Sequence, residues 1–148
     1  MKKIYHASSN RGKVNHGWLQ AKYSFSFGNY FDPKRIQFGA LRVLNDDIIA
    51  PGRGFGSHPH DNMEIITIPL EGALEHKDSM DNTGIIKADE IQVMSAGTGI
   101  YHSEYNNSVE KEVNLLQIWV LPKEKNTAPR YDQKNILALK KTNALYPI

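Results

Sequence analysis

The chain has 148 residues, 40% of them hydrophobic, and sets 18 Lys and Arg against 16 Asp and Glu for a net charge of +2. That length suits one domain with a core of its own, and the mixed signs of runs such as Glu110-Lys111-Glu112 and Lys123-Glu124-Lys125 argue for a solvated surface, with no direct nucleic-acid partner. No cysteine is present, which excludes disulfides, thiolate nucleophiles and thiolate metal sites, so any metal must be held by nitrogen and oxygen.

Met1-Lys2-Lys3-Ile4 is a basic start without the apolar run of a signal peptide, and no later segment approaches the roughly 18 apolar residues of a membrane span. The expectation is a soluble, cytoplasmic protein with no membrane partner. Residues 1–22 are polar and glycine-spaced, with Trp18 and Leu19 the first core candidates. Tyr23-Ser24-Phe25-Ser26-Phe27 alternates aromatic and small polar residues, which predicts a strand with one buried face, ending at Gly28-Asn29. Asp32-Pro33 signals a turn, Gly39 to Leu44 a short strand, and Asn45-Asp46-Asp47 a further turn.

The glycines of Pro51-Gly52-Arg53-Gly54-Phe55-Gly56-Ser57 invite a phosphate-loop reading, which fails because no helical pattern follows. Instead Glu64-Ile65-Ile66-Thr67-Ile68-Pro69-Leu70 is strand-like, and the glycines let the backbone bend close to a site or through a bulge. Short strands follow at Ala73 to Lys77, Ile85 to Lys87, Ile91 to Ser95 and Ile100 to Tyr105, separated by Asn/Asp/Gly turns. Val113 to Leu121 is apolar on most positions of both faces, which predicts a central strand stopped by Pro122. A last strand or short helix is expected at Ile136-Leu137-Ala138-Leu139. Many short strands at intervals of roughly ten residues, with no helical period, predict an all-β antiparallel sandwich or barrel.

Two residue pairs carry the chemistry. His58-Pro59-His60 and His102-Ser103-Glu104 each place two good metal ligands at i and i+2, which on a strand means the same face. Neighbouring strands lie about 4.8 Å apart, so two such pairs facing into a barrel can converge on one ion. Burying four such groups without an ion is costly. The alternative is an internal His102–Glu104 hydrogen bond with His58 and His60 capping a loop. Glu64, which opens a strand after the first pair, is either a ligand or the partner of a surface base. His6, His16 and His76 lack partners at ligand spacing and are expected at the surface or in local hydrogen bonds.

Gly52-x5-His58-x-His60-x3-Glu64, with Gly72 one residue late, resembles the first cupin motif. Gly99-x2-His102-x3-Asn106 resembles the second, with Gly97 where proline is common. Together with His16-Gly17-Trp18-Leu19, Ser24-Phe25-Ser26-Phe27, Phe55-Gly56-Ser57-His58-Pro59-His60, Met94-Ser95-Ala96-Gly97-Thr98-Gly99 and Leu116-Gln117-Ile118-Trp119, they resemble the bacterial pirin family over residues 5 to about 132. The resemblance implies a cupin-type β-barrel (double-stranded β-helix, jelly-roll-like). It also implies one mononuclear divalent metal, Fe(II) first, with nickel, manganese, copper and zinc compatible with such ligands. The ligands would be His58, His60, His102 and Glu104, leaving Glu64 out. The family tends to carry Pro-Gly-Asp where this chain has Ala88-Asp89-Glu90, and Asp89 is expected to take up the left-handed geometry of that glycine.

Pirins resemble two cupin domains in tandem. Residues 1–122 are therefore expected to be the metal-binding barrel and 123–148 an extension or the start of a second domain, with homodimerisation covering any exposed apolar flank. By analogy with pirins that resemble quercetin 2,3-dioxygenases, the substrate would be an aromatic polyphenol, a flavonol, with dioxygen, and Glu104 would act as general base. Phe25, Phe27 and Phe38, beside the Gly52 to Gly56 loop, are candidates for the mouth of the site. Other pirins resemble non-catalytic, redox-responsive iron proteins that bind a transcription regulator, a reading that uses the same four ligands.

Overall fold

The structure, a computed structural model, describes residues 4–137 and 143–144. Its elements, in order, are a short 3-10 turn (Ser8–Asn10) and the strands β1 (Gly12–Asn15), β2 (Leu19–Tyr23), β3 (Leu41–Ile49), β4 (Gly54–His60), β5 (Glu64–Glu71), β6 (Ala73–Asp78), β7 (Thr83–Lys87), β8 (Glu90–Ser95), β9 (Ile100–Asn106), β10 (Val113–Val120) and β11 (Arg130–Asn135). No α-helix occurs among the described residues, and every strand pairing is antiparallel.

Seven strands form one sheet in the order β1-β2-β3-β10-β5-β8-β11, and four form the other in the order β4-β9-β6-β7. The sheets face each other because their strands alternate. On β9, Ile100, His102, Glu104 and Asn106 are buried while Tyr101 and Tyr105 are exposed. One core cluster joins Leu19, Tyr23, Ile49, Val113 and Leu115 of the large sheet to Leu74 of the small one. A second joins Ile65, Met94 and Ala96 to Ile100. Each such fully buried aliphatic side chain contributes about 1.5–3 kcal/mol of transfer free energy. The polar stripe of β9 lies between these two apolar plugs.

Val113–Val120 is central, as its two-sided apolar pattern predicts, pairing with β3 on one side and β5 on the other. Asp89 has φ 73°, the left-handed geometry expected of it. Other expectations fail for physical reasons. Asn45-Asp46-Asp47 is not a turn but the middle of β3, where Asn45 and Asp47 point inward with Val43 and Ile49 while Asp46 points out to Arg11 and Lys22. Tyr23 to Phe27 is not a strand. It begins at the last residue of β2, after which Ser26 N–H donates to Arg35 O (2.7 Å) and Ser26 Oγ donates to Asp32 O (2.9 Å), folding the chain back on itself. The polar first 22 residues hold two strands, β1 and β2, held by pairing with each other and with β3. Among the described residues the last strand is β11, at Arg130–Asn135, paired to β8, and Ile136 and Leu137 follow it. The expected continuation through Ala138 and Leu139 lies outside the described residues.

Candidate metal centre and its cavity

Strand register assembles the centre. β4 and β9 pair with His58 opposite His102, and β9 and β6 pair with Asp78 opposite His102 and His76 opposite Glu104. The expected loop before His58 is already strand from Gly54, which packs directly against the β9 backbone. A Cβ there would lie 2.5 Å from Tyr105 Cα and closer still to the Glu104 carbonyl oxygen. Only glycine permits that approach.

Three imidazoles converge. Ring centroids are 4.4 Å apart for His58 and His102, 4.9 Å for His58 and His60, and 4.9 Å for His60 and His102. Their ligand nitrogens all lie within 4.8 Å of one another. His102 Nε2 is buried without a hydrogen-bond partner among the described residues, which leaves its lone pair unused. His58 Nδ1 lies 2.8 Å from Gly56 O and so carries the proton, freeing its Nε2. Burial, then the neighbouring imidazoles, pushes His60 down to about 4 and His102 down to about 3, so both are neutral ligands at neutral pH. This donor set fits a first-row divalent ion.

Glu104 lies two residues along the same inward stripe, and a second group of ligand atoms within 4.8 Å joins it to His102 and His76. Burial raises its carboxyl from 4.5 to about 7, against hydrogen bonds from Gln117 and Thr67. Gln117 Nε2 donates to Glu104 Oε2 at 2.9 Å. The Thr67 hydroxyl lies 2.8 Å from Gln117 Oε1 and 3.3 Å from Glu104 Oε1. Glu64 stands elsewhere: Ser95 Oγ donates to its Oε2 at 2.6 Å, and neither candidate metal group among the described residues includes it.

His6 and His16 are exposed, as expected. His76 is locally hydrogen-bonded, also as expected, but it is wholly buried and has a partner at i+2, Asp78. Burial lowers the His76 pKa, so the contact joins a neutral imidazole to a carboxylate: His76 Nε2–H donates to Asp78 Oδ2 at 3.2 Å. His76 Nδ1 then accepts from Gln92 Nε2 at 3.0 Å and faces His102 Nδ1 at 3.5 Å. With both its nitrogens engaged, His76 has less to offer an ion than Glu104, and it stands against His102 Nδ1, leaving Nε2 as the unpartnered nitrogen of that ring. Burial alone would raise Asp78. Hydrogen bonds from Asn82, His76 and the Met80 backbone outweigh it and hold the carboxyl below its usual range.

A cavity of about 480 Å³ opens beside the imidazoles, lined by His58, Glu104 and Gln117 at one part and by Trp18, Tyr23, Phe27, Phe55 and Trp119 elsewhere. Of the aromatics expected at the mouth only Phe27 lines it, because Phe25 and Phe38 line a separate cavity with Arg35 and Leu41. Trp119 meets His60 edge-on at 4.8 Å, so one indole both walls the cavity and braces a candidate ligand. Asn45 and Asp47 of β3 also face this space. Sequence reasoning missed them because an Asn-Asp-Asp run looks like a turn. The signal was the period-two alternation Val43-x-Asn45-x-Asp47-x-Ile49.

The family model described as Pirin matches residues 5–120. The chain belongs to the pirin family. It is 53% identical over 137 residues to a quercetin 2,3-dioxygenase of Escherichia coli K12, covering 92% of this chain and 59% of that protein. It is 54% identical over 126 residues to a putative quercetin 2,3-dioxygenase of Zymomonas mobilis, covering 85% of this chain and 53% of that protein. Among solved structures, the bacterial pirin YhhW of Escherichia coli in complex with nickel(II) superposes with a TM-score of 0.85 at 53% identity, over 86% of this chain and 56% of that one. The all-β antiparallel architecture is thus the cupin-type fold of the pirins. This pirin chain spans somewhat more than half the length of the relatives it matches.

Proposed function

We propose that this pirin chain holds one divalent metal ion, Fe(II), on His58, His60, His102 and Glu104, and that the protein is a dioxygenase that opens a flavonol such as quercetin. In this reading residues 1–122 are the metal-binding cupin barrel, and the segment after them adds β11 to the edge of its large sheet. The observation that carries it is the unpartnered Nε2 of His102 at the meeting point of three imidazoles, beside a carboxyl tuned to near neutrality, in the wall of an aromatic cavity. The names of the Escherichia coli and Zymomonas relatives and the nickel(II) complex of YhhW support the substrate class and a single metal.

When bound, the metal would supply Lewis acidity toward the substrate's enolic oxygens and a site for dioxygen. The protein does the rest. Phe27, Phe55 and Trp119 offer faces and edges for flat rings, and about 480 Å³ lies within the range of small-molecule sites. Glu104 is placed to accept the proton of the substrate's enolic hydroxyl, and Gln117 Nε2–H holds Oε2 in place for it. The test is aerobic incubation of the iron-loaded protein with quercetin, following loss of flavonol absorbance and release of carbon monoxide. Turnover that disappears in His102→Ala supports the reading. Absence of turnover with iron, nickel, manganese and copper alike overturns it, and oxidation-state-dependent binding of a protein partner would then favour a regulator.

A further inference from the structure

Two polar residues of the cavity wall have no task at the metal centre. Asn45 and Asp47 sit at alternate positions of β3, 2% and 5% exposed, and Oδ1 of each is buried without a hydrogen-bond partner. Both line the cavity that Glu104 and His58 also line. A buried acceptor left unpaired is costly, and native proteins leave few of them, so a pair in one wall of one cavity, to which the described residues supply no donor, calls for one from elsewhere. The charge around them narrows the donor. Among the described residues no Lys or Arg lines this cavity, and Asp47 shares it with the carboxyl of Glu104, so an anionic ligand group is disfavoured there. A neutral hydroxyl or N–H carried on an aromatic body fits both the acceptors and the ring-lined walls.

We propose that Asp47, with Asn45 beside it, is a specificity-determining residue that accepts hydrogen bonds from hydroxyl groups on the part of an aromatic substrate remote from the metal-facing oxygens. The proposal rests on the flavonol reading and deepens it by naming the substrate feature that is selected. Burial, then the charges of Glu104 and Asp46, raises the Asp47 carboxyl from 3.8 to about 7 in the metal-free chain. Tyr23, cross-strand from Asn45 and on the cavity wall, has its phenol raised by burial and by Asp47, and so stays a neutral neighbour.

The experiment measures binding of two flavonols, without oxygen, to the full chain loaded with nickel(II). Quercetin and 3-hydroxyflavone share the 3-hydroxy-4-keto unit that would face the metal and differ in the hydroxyls carried elsewhere. The wild type is expected to bind quercetin at least about tenfold more tightly, since a site built around a hydroxyl rejects the analogue that lacks it. In Asp47→Leu that ratio should fall to about twofold through weaker quercetin binding alone, and Asp47→Asn, which keeps an acceptor, should restore part of it. A purely structural role would weaken both ligands equally and leave the ratio unchanged, which overturns the proposal. Equal affinity of the wild type for both flavonols overturns it without any variant, should Asp47→Leu not fold. Failure of the wild type to bind either flavonol overturns the flavonol reading itself, and this proposal with it.

Discussion

Glu104→Gln should have opposite effects on the metal-free and metal-loaded protein. In the folded chain the Glu104 carboxyl is raised from 4.5 to about 7, with burial the first cause. At about 1.36 kcal/mol per pH unit, keeping it ionised in the metal-free fold costs roughly 3 kcal/mol. The sign follows from the direction: a raised value means that the folded state holds the proton more tightly. The stability this contributes is full below about pH 4.5 and is lost as pH rises through about 7. Glutamine has the same shape, carries no charge and can still accept from Gln117 Nε2, which lies 2.9 Å from Glu104 Oε2. Its amide protons need an acceptor, which offsets part of the gain. The metal-free variant is therefore expected to be about 1–3 kcal/mol more stable than wild type at pH 8 and close to it at pH 4.5. Loaded with metal it should be the less stable of the two, having lost the carboxylate proposed as a ligand. Urea unfolding midpoints of both proteins at both pH values, with and without nickel(II), give the comparison. A metal-free Glu104→Gln less stable than wild type at pH 8 would refute the reasoning.

Other outcomes follow from single contacts. His76→Gln should weaken metal binding about 10–100-fold in a chelator competition, because the partner that orients His102 is lost while Asp78 keeps its hydrogen bonds to Asn82 and Met80; unchanged affinity would mean that His102 needs no such support. Gly54→Ala forces a methyl into the β9 backbone at Tyr105, so thermal unfolding should show a loss of about 1–3 kcal/mol or more, accompanied by lower metal content. Elemental analysis of Glu64→Ala beside Glu104→Ala should find the ion retained by the first and depleted in the second; equal retention would remove Glu104 from the ligand set.

Much of this was legible in the chain. Period two is a property of any strand, so His58/His60 and His102/Glu104 had to lie on one face each once strands were assigned, and Ile100, His102, Glu104 and Asn106 indeed share the inward face of β9. The two-sided apolar run of β10 could only be central. Where the reading failed, local chemistry competed with pairing partners that are far away in sequence. Asn45-Asp46-Asp47 carries turn residues, yet hydrogen bonding to β10 and β2 holds it extended. The same competition hid β1, β2 and β11, whose polar residues are strands only because a neighbour's edge was open to them.

Sequence by itself determined the type of site: nitrogen and oxygen donors, two same-face pairs, and glycine at the close approach of β4 to β9. Register and sheet order decided the remainder. They set His58 across from His102, placed the Asp78–His76 pair behind it so that Nε2 is the nitrogen left free, and sent Glu64 to Ser95. They also turned Asn45 and Asp47 inward to the cavity beside Glu104. Spacing along a strand fixes which side a residue faces; only the pairing of strands far apart in sequence fixes what it faces.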